Sequence, residues 1–223
     1  MGYNEMLERI KYGNTNTYLL KGDNANILID TDYAGTLPKF YCEIKEKNIK
    51  VSDITYVLAT HYHPDHIGLV SCLMDLGVTL LIVDTQLDKV HYADAVFARE
   101  PHLRYKPIDE SRAKIISISE SRRFLKQAGI DGEIITTPSH SSDSISVVLD
   151  DGICIVGDLE PIDYLEAYSG NEALKNDWDK VLSFNPQKIF YAHANEKNPD
   201  KYLAKRISLR RKCECDRSNT QQA

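Results

Sequence analysis

Between residues 61 and 66 the chain reads His-Tyr-His-Pro-Asp-His, directly after the apolar run ITYVLAT at 54–60. Four metal-capable side chains packed into six positions constrain the fold more than any other feature of the sequence. Side chains of an extended segment repeat every second residue, so His61 and His63 project to one side. Pro64 suits the first turn of a helix, where its missing N–H would have no partner anyway. That helix points Asp65 and His66 back toward the strand end. The segment therefore predicts a buried strand that stops at the mouth of a site and passes straight into a helix.

The flanking patterns mix strands and helices along the whole chain. The turn cluster Gly22-Asp23-Asn24 predicts a hairpin of residues 16–21 and 26–30. The continuous apolar run 54–60 is the pattern of a strand buried on both faces. Helices are expected after Pro38, over 65–77 (Ile67, Val70, Leu73 and Leu76 at helical spacing, Gly77 as the stop) and over 120–129, ending at Gly129. Further strands are expected at 78–84, 113–119, 132–137, 144–150, 153–158 and 188–193, with Asp151-Gly152 as a hairpin turn. The stretch 163–184 reads as helical with a break at Gly170. Residues 85–112 have no readable periodicity and are expected to form helix, loop or lid. With 223 residues, 42% of them apolar, the expectation is one domain over residues 1–210 and a polar tail over 211–223. The class is α/β (α+β) with two layers of sheet.

Three more donors stand at the C-terminal ends of predicted strands, where α/β sheets present functional side chains: His140, Asp158 and His193. Together with residues 61–66 they supply five imidazoles and two carboxylates, enough for two divalent ions. Nitrogen and carboxylate donors without thiolate suit zinc, iron or manganese, and zinc is the default for a hydrolytic site. Two such ions share a hydroxide, polarise a carbonyl or phosphoryl oxygen and stabilise a leaving group, so no serine or cysteine nucleophile is required. Cys72 and Cys154 fall in apolar runs and are expected in the core. His91 and His102 match no motif, and Cys213-Glu214-Cys215 lacks the four-ligand set of a structural zinc. Tyr92, Tyr105 and Tyr164 are candidates for lining a pocket.

The order His61-Tyr62-His63-Pro64-Asp65-His66, His140, Asp158, His193 resembles the H-x-H-x-D-H … H … D … H pattern of the metallo-β-lactamase superfamily. Asp30, in ILIDTD, matches the acidic residue which that family places after an early strand. The resemblance covers about residues 15–195. It implies a four-layer αββα sandwich of two mixed β-sheets, with the metals in a cleft at one edge. It assigns His61, His63 and His140 to one ion, Asp65, His66 and His193 to a second, and Asp158 to both. Asp30 would hydrogen-bond the ligand loops from behind and fix their orientation. The implied activity is hydrolysis of an ester, thioester, lactone, amide or phosphoester bond of a small-molecule substrate by a metal-bridging hydroxide, with Asp65 and Asp158 as catalytic residues. The alternative is an iron persulfide dioxygenase using one ion on His61, His140 and Asp158. A metal-binding protein without turnover is a third reading.

Branches of the family are separable on the same residues. Secreted β-lactamases lack an aspartate at the position of Asp158. Di-iron relatives carry Glu where this chain has His63, and add a flavodoxin-like domain. RNA-processing members carry an insertion too long for the interval from Asp158 to His193, and glyoxalase II has a helical domain for which residues 194–223 are too few. A stand-alone glyoxalase II-like or lactonase-like branch remains, with one departure: Pro138-Ser139-His140 replaces the common Pro-Gly-His, which should alter the backbone or crowd the pocket there. Lys and Arg number 27 against 33 Asp and Glu, a net charge of −6 that offers no footprint for nucleic acid. No stretch approaches the ~20 apolar residues that cross a bilayer. The start MGYNEMLERI carries Glu5 and Glu8 where a secretory signal would be apolar, and five scattered cysteines suit reduced thiols. A cytoplasmic protein with no membrane or nucleic-acid partner is expected. Oligomeric state has no signal in the sequence.

Overall fold

Alternate residues of the central strands belong to different apolar clusters, and that two-residue period sets the layering. In the computed structural model, which describes residues 6–165, 167, 169–200 and 202, one sheet has the strand order β1 (Leu7–Ile10), β2 (Thr17–Lys21), β3 (Asn26–Ile29), β4 (Tyr56–Leu58), β5 (Thr79–Val83), β6 (Lys114–Ile116). Its first two pairings are antiparallel and the other three parallel. The second sheet contains β7 (Gly132–Thr136), β8 (Ile145–Leu149), β9 (Ile153–Ile155) and β10 (Lys188–Phe190), in the order β10-β9-β8-β7. Only its β9–β10 pairing is parallel.

Leu19, Leu28, Val57, Leu80 and Ile82 pack against helices α1 (Leu37–Glu46), α2 (Pro64–Ile67) and α3 (Val70–Asp75). Their neighbours Tyr18, Leu20, Ile27, Ile29, Leu58, Leu81 and Val83 face the other sheet, meeting Ile134, Ile145, Val147, Leu149, Ile153 and Ile155. On the far side, Ile135, Val148, Cys154 and Ile189 lie under the helix Glu172–Leu182, which contributes Leu174, Trp178, Val181 and Leu182. Three apolar layers separate four layers of structure, so the fold is an αββα sandwich. Residues 84–112 form short helical turns and the four-residue helix α4 (Asp94–Phe97). Helix α5 (Ser121–Ala128) plugs one end of the inter-sheet core with Phe124, Leu125 and Ala128, and stops at Gly129 with φ 82°. The helix 172–182 is α6.

Two elements depart from the sequence expectation. Residues 65–77 form two helices rather than one, α2 and α3, parted at Gly68 and Leu69. A Cβ on Gly68 would lie 2.2 Å from the Ala34 nitrogen and 2.5 Å from the Asp32 oxygen, so the loop after β3 occupies the space a continuous helix with side chains would fill. The edge strand β1 carries no strand signal, because Glu8 and Arg9 interrupt its buried ends Leu7 and Ile10. The expected hairpins β2–β3 and β8–β9 form, the latter turning at Gly152 with φ 91°. Among the described residues no helix is long and apolar enough to cross a membrane.

Strands β3 and β4 run parallel, and β7, β9 and β10 share one direction within their sheet. Asp30, residues 61–66, His140, Asp158 and His193 all follow the C-terminal ends of these five strands. Because the Gly68 contact seats the loop beside Asp30, Gly68→Ala is expected to lower stability by about 2–3 kcal/mol, read from the urea midpoint. An unchanged midpoint would mean that residues 32–34 yield without cost.

Candidate metal centre

Asp30 begins the construction of the site. It adopts φ 58°, a left-handed conformation that Asp tolerates better than most residues, and is 1% exposed. Its Oδ1 accepts from the Thr60 N–H (2.7 Å), and its Oδ2 accepts from the Thr60 hydroxyl (2.9 Å) and lies 3.0 Å from His66 Nδ1. The carboxylate thus spans both ends of the segment 60–66. The His66 carbonyl accepts from the Thr31 N–H (2.9 Å) and hydroxyl (3.0 Å), and the Asp65 carbonyl from the Thr15 hydroxyl (2.7 Å). Tyr62 N–H donates to Asp143 Oδ2 (2.7 Å), and Ser141 donates to the other oxygen. The fully buried Gln86 donates to the carbonyls of Ala59 (3.0 Å) and Asp143 (3.1 Å), joining the two sheets behind the histidines.

The remaining donors are placed the same way. Asn16 binds the chain on both sides of His193, through the carbonyls of Tyr191 (2.9 Å), Ala192 (2.7 Å) and Ala194 (3.1 Å). Ser139 N–H donates to Asp177 Oδ2 on α6 (2.7 Å), which fixes the approach to His140. Gly157 has φ 57°, and a Cβ there would sit 2.4 Å from the Thr60 hydroxyl, so the chain before Asp158 is pressed against β4's loop.

These restraints bring seven donors together. Three groups have ligand atoms within 4.8 Å of one another: His61, His63 and His140; Asp65, His66 and His193; and His61, His66 and Asp158. Asp158 Oδ2 lies 3.8 Å from His61 Nε2, 3.7 Å from His140 Nε2 and 3.4 Å from His66 Nε2, while its Oδ1 is 3.3 Å from His193 Nε2. His140 Nε2 and His63 Nδ1 are 3.2 Å apart, and His193 Nε2 is 3.1 Å from Asp65 Oδ2. Ligands on a tetrahedral ion with bonds of ~2.05 Å are separated by roughly 3.4 Å, the middle of this range. His61 Nε2, His66 Nε2 and Asp158 Oδ1 are buried with no hydrogen-bond partner, an arrangement proteins avoid unless something else satisfies the group. The donor set, its spacing and its orphaned atoms fit divalent metal.

The sequence profile of the metallo-β-lactamase superfamily matches residues 10–193. The chain belongs to the metallo-β-lactamase superfamily. A probable metallo-hydrolase of Methanocaldococcus jannaschii is 30% identical over 193 residues, 85% of this chain and 86% of that protein. A beta-lactamase-like protein 2 homolog of Drosophila melanogaster is 26% identical over 182 residues, 81% of this chain but 59% of the fly protein, so this chain spans little more than half of it. A crystal structure of a metallo-β-lactamase family protein from Thermus thermophilus superposes with a TM-score of 0.67 at 17% identity, over 94% of this chain and 80% of that one.

Electrostatics divide the superfamily site into two halves. His61 is driven far below its ordinary pKa by burial and then by the neighbouring imidazoles, and burial with His140 lowers His63. Burial also disfavours the His66 cation, but Asp30 and Asp158 outweigh it and hold His66 well above its usual value. His193 is raised by its hydrogen bond to Asp65, and that same bond brings Asp65 down to about 2. Burial opposes the Asp158 anion, yet His66 and the other imidazoles keep its pKa low. Without metal, burial favours neutral His61 and His63, while the carboxylates around His66 and His193 favour their protonated forms.

Of the aromatic candidates, Tyr92 is 55% exposed with its ring 5.3 Å from that of His63, and Tyr164 lines a cavity with Asp158 and His193. Tyr105 instead stacks on Phe97 (4.1 Å) and donates to Asp94, so it packs within its own segment. His91 lies between Asp94 (2.9 Å) and Glu110 (3.4 Å), and His102 is exposed. Cys154 is core as expected, whereas Cys72 is only half-buried, on the outer side of α3. Cys213 and Cys215 lie outside the described residues. Ser139 keeps a φ outside the left-handed region, so the missing glycine needs no special backbone. Asp143, Gln86, Thr31 and Thr15 act behind the donors and belong to no motif. Asp143→Ala, which strips the Tyr62 N–H of its acceptor, is expected to weaken zinc affinity about 10–100-fold in chelator competition. Wild-type affinity in that variant would show that the bond does not orient the ligands.

Proposed function

We propose that this protein is a hydrolase that works with two divalent ions, zinc by default and iron or manganese as alternatives, on an ester, thioester, lactone, amide or phosphoester bond of a small molecule. The observation that carries the reading is Asp158, whose Oδ2 lies 3.8 Å from His61, 3.7 Å from His140 and 3.4 Å from His66 and whose Oδ1 lies 3.3 Å from His193, so a single carboxylate addresses both triads. His61, His63 and His140 hold one ion, Asp65, His66 and His193 the other. When bound, the pair supplies an activated hydroxide and Lewis-acid polarisation of the scissile group. Asp65, ionised throughout the physiological range and 37% exposed on its side chain, offers its carboxylate to an entering water as a hydrogen-bond acceptor. A cavity of about 310 Å3 between His140, Asp158, Tyr164, Tyr191 and His193 has the size for a small substrate. We further assign residues 1–210 to one domain and the protein to the cytoplasm, a setting compatible with the free thiols Cys42, Cys72 and Cys154.

The persulfide dioxygenase reading needs one ion, on His61, His140 and Asp158, and leaves His63, Asp65, His66 and His193 as bystanders. His193→Ala separates the two. In the proposed reading it loses one ion by elemental analysis and lowers kcat by more than about 100-fold on a cleaved ester. Retained turnover with one iron per chain and oxygen uptake on a persulfide would replace the hydrolase. Metal uptake also has a proton signature. The raised pKa of His66 leaves it protonated in the metal-free fold at neutral pH, and ligation requires the neutral imidazole, so uptake releases protons. The calorimetric enthalpy of zinc binding is therefore expected to vary with the ionisation enthalpy of the buffer; equal enthalpies would place no proton on His66.

A further inference from the structure

The cavity beside Asp158 opens, past Pro161, Tyr164 and His193, into a second of about 590 Å3. Arg9, Lys11 and Lys197 line it, a concentration of cations in a chain whose net charge is −6. Their commitments differ. Lys197 is 2.7 Å from Asp163, and Arg9 lies 3.8 Å from Glu196. Lys11 makes no ion pair within 4 Å among the described residues and donates to the main-chain carbonyl of Asn14.

Lys11 also stands on a loop that is tied to the donors. Thr15 binds the Asp65 carbonyl, Asn16 binds the chain around His193, and Gly13 is so tightly packed that a Cβ would lie 1.5 Å from Asp32 Oδ2. The backbone that carries Lys11 is consequently fixed relative to the metal centre, and the side chain extends from it to line the cavity. Lys11 is exposed at the wall of this cavity, so its ammonium is open to an arriving anion.

We propose that Lys11 is a specificity-determining residue and that the substrate carries a carboxylate, seated on Lys11 in this cavity while the scissile bond lies over Asp158. The proposal rests on the hydrolase reading and names its substrate class. One uncommitted ammonium, with Asp163 close by, matches a monoanion better than a phosphate dianion.

The test uses zinc-loaded protein with mono-4-nitrophenyl glutarate and its neutral methyl ester. Wild type is expected to favour the anionic ester, and Lys11→Met to reduce the ratio of the two kcat/KM values about tenfold through KM, with Lys11→Arg restoring part of it. An unchanged ratio in Lys11→Met overturns the proposal. Calorimetric titration with glutarate gives a reading independent of turnover. Binding weakened about tenfold in Lys11→Met supports the subsite even where neither ester is cleaved, an outcome that would remove ester cleavage from the hydrolase reading and leave the subsite standing. Glutarate bound equally by both proteins, or inorganic phosphate bound more tightly than glutarate in a Lys11-dependent way, overturns the carboxylate assignment.

Discussion

Asp158 is surrounded by four imidazoles at 3.3–3.8 Å while being largely removed from solvent. Donors of this kind do not gather of their own accord. Each buried lone pair that loses water without gaining a partner costs on the order of 1–3 kcal/mol, and the centre holds several. A cation relieves that cost at every donor together. In its absence a proton does part of the same work: Asp30 and Asp158 hold it on His66, which lowers the charge imbalance there, while burial keeps His61 and His63 neutral. The donor cluster is a cost that the rest of the fold sustains, and its donor set is one that suits divalent metal.

What sustains it is a polar clasp between the two sheets at one edge of an otherwise apolar interface. Ile145 N–H donates to the Thr60 carbonyl (2.9 Å), Asn16 N–H to that of Ala192 (2.7 Å), and the Tyr18 hydroxyl to that of Tyr191 (2.8 Å). Gln86 and Asp143 add side-chain links across the same gap. Away from this edge, Leu58, Leu81, Val147 and Ile155 join the sheets through contact without direction. Apolar packing supplies the adhesion of the sheets; the clasp supplies their register, which a hydrophobic core alone leaves loosely defined.

That division explains how much could be read from the chain. Strands β2 and β3 announce themselves because burial on both faces leaves β-favouring apolar runs on either side of a turn cluster, and the donors because His61, His63, Asp65 and His66 crowd into one stretch. His140, Asp158 and His193 are legible by position, each ending an apolar run. Asp30 is visible for the same reason. Gln86, Asp143, Thr31 and Thr15 are not, since a buried side chain that bonds to main-chain groups needs only the right distance, and nothing in its neighbours encodes that distance. Gly68 is a further case: its spacing is helical, and the break it causes depends on a loop 34 residues away in sequence, at Ala34. Residues 84–112 give no pattern because their turns are too short to complete a period.

The clasp also separates what holds the centre from what surrounds it. Many of its bonds end on main-chain carbonyls or N–H groups, which persist whatever side chain is attached. The loops that border the cleft are different: Tyr92 stands over His63 from one side, and Tyr164 flanks His193 from the other. The bonds that set the donors run through other residues, so those two positions can change chemistry without moving a ligand. Lys11 is the informative intermediate, because its loop is anchored to the donors through Thr15 and Asn16 while its own side chain lines a cavity. A charge mounted there stands on a backbone fixed to the donors, while its side chain takes no part in the bonds that set them. The backbone beneath such a side chain is set by the centre, and the chemistry it displays into the cavity is not.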